Sequence, residues 1–271
     1  MSTFVHYLTD SSEERWQEVN LLIDQASDKE GVDKPLYNAL CRAIVVLIVA
    51  HFEGFMKELA RSIVQDINQF STFNKTPTFI KRTFCRTFVD IGTLENHDKS
   101  IEDKINRLVD MFDLIDTKFT SDPFLPESAH GNNRNPSPTI ISRVCSNFGV
   151  ENVFLWMYNS KLDIVFNNYS SDVSQLISDL RSHTITNTQS FPYTIDISTF
   201  ELKEVNSTRN IRRSLWETFI DELLRNRHDV AHGNSLENSL SVGQLAEFRD
   251  KAIVLEYALT LILCHKSAPN P

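Results

Sequence analysis

The segment Arg225–Gly233, RNRHDVAHG, gathers two arginines, two histidines and an aspartate at close spacing. Imidazole is the side chain whose ordinary titration falls near neutrality, and guanidinium presents a planar fork of donors that fits a phosphate. Together they can move a proton at a hydroxyl group and hold a phosphodiester beside it. On a helix, Arg225, His228, Asp229 and His232 follow the spacing i, i+3, i+4 and i+7 and share one face. Arg227 stands five residues before His232, roughly 140° around the helix. It meets His232 only obliquely, or serves a group supplied by another helix or subunit. Spacing alone leaves a plainer account open, a solvated helix end whose histidine caps the last carbonyls.

The element that must position these groups is the run STRNIRRSLWETFIDELL before them. Ile211, Leu215, Phe219 and Leu223, with Trp216, Ile220 and Leu224 beside them, have the spacing of a helix with one buried stripe. Ser214 with Glu217 forms a capping box, or the helix starts earlier, near Ser207. Gly233 suits the left-handed residue that closes a helix, which puts His232 at its end. There the negative pole of the macrodipole favours the imidazolium form.

RHDVAHG resembles the signature of HEPN domains: an arginine, a polar residue, three more residues and a histidine. In that register Arg227, His228 and His232 take the three places; Arg225 with Asn226 gives a second register. RAIVVLIVAHFEGFMKELARSIV, Arg42–Val64, is similar to the long helix of the RiboL-PSP-HEPN-like and related solo bacterial families. NPSPTIISRVCSNFGV, Asn135–Val150, is similar to their central segment. The resemblance implies an all-α, HEPN-like bundle over residues 1–271, with additional inserted helices and at most a short extended segment. Its core helices would be about 36–70, 207–232 and 242–265, with a helical and loop insertion at about 71–200. It further implies a homodimeric endoribonuclease, a toxin or antiphage effector that cleaves RNA without metal or other cofactor. Arg227, His232 and His228 would be catalytic, and Arg225, Asp229 and Glu53 would bind phosphate or orient the others. A regulatory partner such as an antitoxin fits the same reading. The alternative is a catalytically inactive module that binds a protein partner or a nucleotide. Gly233 and Asn234 depart from the tyrosine pattern of toxins silenced by nucleotidylation, so that control is not supported.

Composition bounds these readings. The net charge of −9 gives no global basic field for nucleic acid. Five arginines lie between Arg209 and Arg227, but Glu217, Asp221 and Glu222 offset three of them. Arg209, Arg212 and Arg213 form a local ridge. Seven glycines are few, which favours helices. Cys41, Cys85, Cys145 and Cys264 lack the paired spacing of a zinc site. No phosphate-binding glycine loop, GxSxG elbow or HExxH motif is present. The opening MSTFVHYLTDSSEER is too polar for a signal peptide, and the apolar runs Ala43–Ala50 and Ala252–Cys264 are too short or interrupted to span a bilayer. A cytoplasmic chain with no membrane partner is the expectation.

Taken in order, the first helix is expected to be capped by Asp10 or Ser11, and a second runs from Leu36 to about Phe70 behind Pro35. Within it, His51 and Glu53 follow an apolar run, so at least one needs a partner. Glu53 is placed to orient a guanidinium or imidazole of the motif, or else to make a structural ion pair. Lys81, Arg82 and Arg86 sit on a short helix and either contact nucleic acid or solvate. Ser100 caps the next helix. Thr120–Pro138 reads as a loop whose His130 and Arg134 can line a site mouth. Thr139–Phe148 is a helix closed by Gly149, Ser190–Phe200 a short extended stretch, and Gln244–His265 the last helix.

Overall fold

The computed structural model describes residues 1–89, 98–125, 135–167, 170–205, 213–232 and 240–269. Ser207, Arg209, Ile211, Arg212, His130, Arg134, Gly233 and Asn234 lie outside the described residues. Among those described, the chain is helical throughout, with no strand. The helices are α1 (Phe4–Lys29), α2 (Lys34–Phe70), α3 (Thr78–Arg86), α4 (Asp98–Ile115) and α5 (Pro138–Asn147). After them come α6 (Val153–Trp156), α7 (Ser170–Thr188), α8 (Leu215–Ala231) and α9 (Val242–Ser267).

The long helix α2 is the axis of the bundle, and α1, α8 and α9 pack around it. Asp33 caps it by accepting the Leu36 N–H at 3.1 Å, and Pro35 stands in its first turn, where a missing N–H costs nothing. Its apolar runs join into one helix whose best 18-residue window has a mean hydropathy of 1.8. By length and composition α2 therefore can cross a membrane, which corrects the reading of Ala43–Ala50 as too short. In the bundle, Ile44, Ile48, Phe52, Phe55, Leu59 and Ile63 are buried. Each such side chain contributes about 1.5–3 kcal/mol relative to exposure. Helix α9 is apolar on nearly every side and carries one buried carboxylate, Glu256.

Helix α1 begins well before Asp10. Thr3 is its cap, accepting the His6 N–H at 3.0 Å. The Asp66 carboxylate, from the far end of α2, accepts the Phe4 and Val5 N–H groups at 2.7 and 3.1 Å. Two amides that a helix start leaves unpaired are thus satisfied by a residue distant in sequence. Helix α7 closes the side between α1 and α9.

Helices α3 and α4 form an outlying pair over a phenylalanine cluster, in which Phe73 stacks on Phe119 at 4.7 Å and Phe84 packs edge-on to both. Lys81 is buried there, 3.1 Å from Asp113 and over the Phe73 ring. Arg82 pairs with Glu102, and Arg86 reaches the same carboxylate at 3.3 Å. These cations tie α3 to α4. Helix α4 starts at Asp98, so Ser100 lies within it and does not cap it. Gly149 closes α5 at φ +77°, where a Cβ would come within 2.5 Å of the Phe79 ring. The stretch Ser190–Phe200 pairs with no strand and ends in a 3-10 turn at Ile197–Phe200. Extended backbone without a neighbouring strand has no ladder to join, so the alternation of its side chains serves only to bury Tyr193, Ile195 and Ile197.

Candidate functional site

Local chemistry fixes the helix that carries the motif. The Ser214 hydroxyl accepts the Glu217 N–H at 3.1 Å, and the Glu217 carboxylate accepts the Ser214 N–H at 2.8 Å. Helix α8 therefore starts at Leu215, eight residues after the alternative start at Ser207, because the reciprocal box satisfies the first free amides. Trp216, Phe219, Ile220 and Leu223 are buried and set the rotation of the helix. With that stripe inward, the polar face of the last two turns points outward.

His232 is the closing residue, its N–H donating to the His228 carbonyl at 3.0 Å. The two imidazoles lie 4.1 Å apart between ring centres, tilted by 51°. His228, His232 and Arg225 are exposed, while Arg227 and Asp229 are half-buried. Among the described residues, Arg225, Arg227 and Asp229 take part in no hydrogen bond or ion pair. The Asn226 amide turns back to donate to the Glu222 carbonyl at 2.8 Å, so the second register offers a polar residue engaged with its own helix. At the end of α8 stand two adjacent imidazoles, with Arg225 and Arg227 in the same two turns, and among the described residues no carboxylate pairs with either guanidinium.

Glu53 is elsewhere. Its carboxylate accepts from Lys57 Nζ at 2.9 Å, one turn along α2, and no hydrogen bond or ion pair joins it to the motif. The structural ion pair is the account that fits. His51 is the residue that follows the burial argument. It is half-buried, edge-on to Trp16 at 5.7 Å, and its Nε2 lies 3.6 Å from the Glu18 carboxylate. Burial lowers its pKa, Glu18 opposes that shift, and Arg15 adds to it.

Two neighbours of the motif were not legible in the sequence. Val230, on the inward side of α8, shares a groove of about 460 Å³ with Glu18 and Leu22 of α1 and with Arg42, Val46 and Ala50 of α2. Arg42 thus reaches the level of the motif from a position far earlier in the chain. Pro136, in the segment before α5, lines a small cavity with Phe52, Leu223 and Leu224, which brings the central Asn-Pro segment against the turn before Arg225. A helical wheel on α2 would have shown Arg42 near an exposed face, but not which helix that face adjoins. Among the described residues, no group of three or more His, Cys, Asp or Glu side chains could hold a metal ion.

A helical bundle organised on one long helix, with an arginine–histidine motif ending a neighbouring helix, defines the class to which HEPN domains belong. The family model RiboL-PSP-HEPN matches residues 10–265, and the chain belongs to that family. No curated protein and no solved structure matches it.

Proposed function

We propose that the chain is an endoribonuclease, a toxin or antiphage effector, that cleaves RNA by attack of a 2′-hydroxyl on the adjacent phosphate. The observation that carries this reading is the exposed pair His228 and His232, 4.1 Å apart, on a helix end that also carries Arg225 and Arg227, neither of which is hydrogen-bonded or ion-paired among the described residues. The attacking hydroxyl must lose a proton and the leaving 5′-oxygen must gain one, which two imidazoles in opposite protonation states can accomplish. The phosphorus centre gains negative charge in between, and Arg227 or Arg225 donates to its non-bridging oxygens. The product is a 2′,3′-cyclic phosphate. The reaction as written needs no metal, since side chains fill each role. One chain supplies the set once, on an open surface. A homodimer that sets two such helix ends face to face gives an enclosed site and a second source of acid or base.

The test is cleavage of tRNA and mRNA in EDTA by wild type, His232→Ala, His228→Ala and Arg227→Ala. Loss of a general acid or base is expected to slow cleavage by about 10²- to 10⁴-fold. Equal cleavage by all four proteins rejects the site. RNA left intact by the wild type, together with a stoichiometric protein or nucleotide complex, favours an inactive binding module instead.

A further inference from the structure

His228 and His232 stand one turn of α8 apart, and the His232 N–H closes that turn on the His228 carbonyl at 3.0 Å. Their rings therefore hang from a fixed backbone on one face, with centres 4.1 Å apart and planes tilted by 51°. Both residues are exposed, and among the described residues neither imidazole makes a hydrogen bond or an ion pair. The other described histidines are engaged. His6 and His265 each donate a ring N–H to a backbone carbonyl at 3.1 Å. His51 lies 3.6 Å from the Glu18 carboxylate, and His183 packs edge-on to Phe200 at 5.3 Å. Among the described histidines, those of α8 alone combine exposure with free ring nitrogens.

A neutral imidazole binds a borderline-soft divalent ion through one nitrogen, at about 2.0–2.1 Å for zinc. Two such bonds in a tetrahedral site set the nitrogens roughly 3.4 Å apart. Rings with centres 4.1 Å apart reach that separation by turning about their own side-chain bonds. We propose that His228 and His232 together chelate a divalent transition-metal ion of the zinc class, and that the bound ion silences the chain. Zinc, nickel and copper fit two imidazoles; magnesium and calcium take oxygen ligands and do not. Among the described residues no third His, Cys, Asp or Glu side chain joins the pair, so water fills the remaining positions and the ion stays exchangeable. The negative pole at the C-terminus of α8 favours a cation there, and Arg225 on the same face opposes it. The silencing rests on the ribonuclease reading, since an ion on both rings takes the nitrogen lone pairs that carry the protons of cleavage. The metal site stands without that reading.

The experiment titrates the untagged full-length protein with zinc chloride near neutral pH, against a chromophoric chelator, and follows the His228 and His232 ring protons by NMR. Zinc is expected to shift the signals of both rings together. Losing a mere hydrogen-bond partner of a metal ligand costs about 10- to 100-fold in affinity, so losing a ligand costs no less. His228→Ala and His232→Ala are therefore each expected to weaken zinc binding at least roughly 10-fold. Both positions are exposed at a helix end, and both variants are expected to keep the helical circular dichroism of the wild type. Nickel is expected to compete for the pair and magnesium to leave it empty. In parallel, RNA cleavage by the wild type is expected to fall over the same zinc range and to return on adding EDTA. Zinc binding that neither substitution weakens, or no binding at all, overturns the site. Zinc held by the pair while RNA is cut at the full rate overturns the silencing. Zinc held by the pair of a wild type that leaves RNA intact even in EDTA overturns the ribonuclease reading and leaves the metal site standing.

Discussion

Glu256 lies in the middle of α9 with 3% of its surface exposed, and its carboxyl accepts one hydrogen bond, from Trp16 Nε1 at 2.9 Å. Burial pushes its pKa from the ordinary 4.5 up to about 8, against smaller opposing effects from Trp16 and Arg15. The folded protein therefore keeps a proton that the unfolded chain releases above pH 4.5. Stability falls as pH rises through that window, by up to about 1.4 kcal/mol per pH unit. Summed from pH 4.5 to 8, the loss is about 4–5 kcal/mol, of the same order as the whole stability of many domains. Glu256→Gln removes the titration and keeps a carbonyl for Trp16. Its amide adds donors that a buried site must satisfy, at a cost of about 1–3 kcal/mol. The variant is expected to be no more stable than wild type at pH 5 and about 2–3 kcal/mol more stable at pH 8.5. Urea unfolding at pH 5, 7 and 8.5, with an unchanged dependence on denaturant, measures the difference. Parallel pH profiles for the two proteins would refute the argument, because they would show that Glu256 is ionised in the folded state.

Two further outcomes follow from single contacts. Gly149→Ala forces a Cβ to within 2.5 Å of the Phe79 ring at φ +77°, and is expected to cost about 2 kcal/mol or more, read as a fall in the urea midpoint. Asp66→Asn replaces the buried carboxylate that accepts from Phe4, Val5 and the Tyr193 hydroxyl at 2.7 Å. It is expected to cost about 2–4 kcal/mol and to speed amide exchange selectively in the first turn of α1; uniform exchange along that helix would argue against the capping role.

Short-range features were legible in the sequence. The Ser214–Glu217 box, Pro35 at the start of α2, the left-handed Gly149 and the helical spacing of Phe219 and Leu223 all depend on neighbours within a few residues. The family and its helical class were legible for the same reason, since motif and periodicity are local patterns. Glu53 shows the limit from the other side. Two accounts stood open for it, and the ion pair that forms is the local one, with Lys57 four residues away.

The sequence by itself determined that the chain is a helical bundle and that one helix ends in adjacent histidines and arginines. Backbone hydrogen bonds and i, i+4 contacts do not need to know where the rest of the chain lies. Tertiary structure alone decided that Asp66 caps α1, that Lys81 is spent on Asp113, and that Arg42 and Glu18 stand at the rim of the groove beside Val230. Those contacts depend on the rotation and level of whole helices. Their rotation and level are set by how dozens of buried side chains fit together, and no short window of residues carries that information.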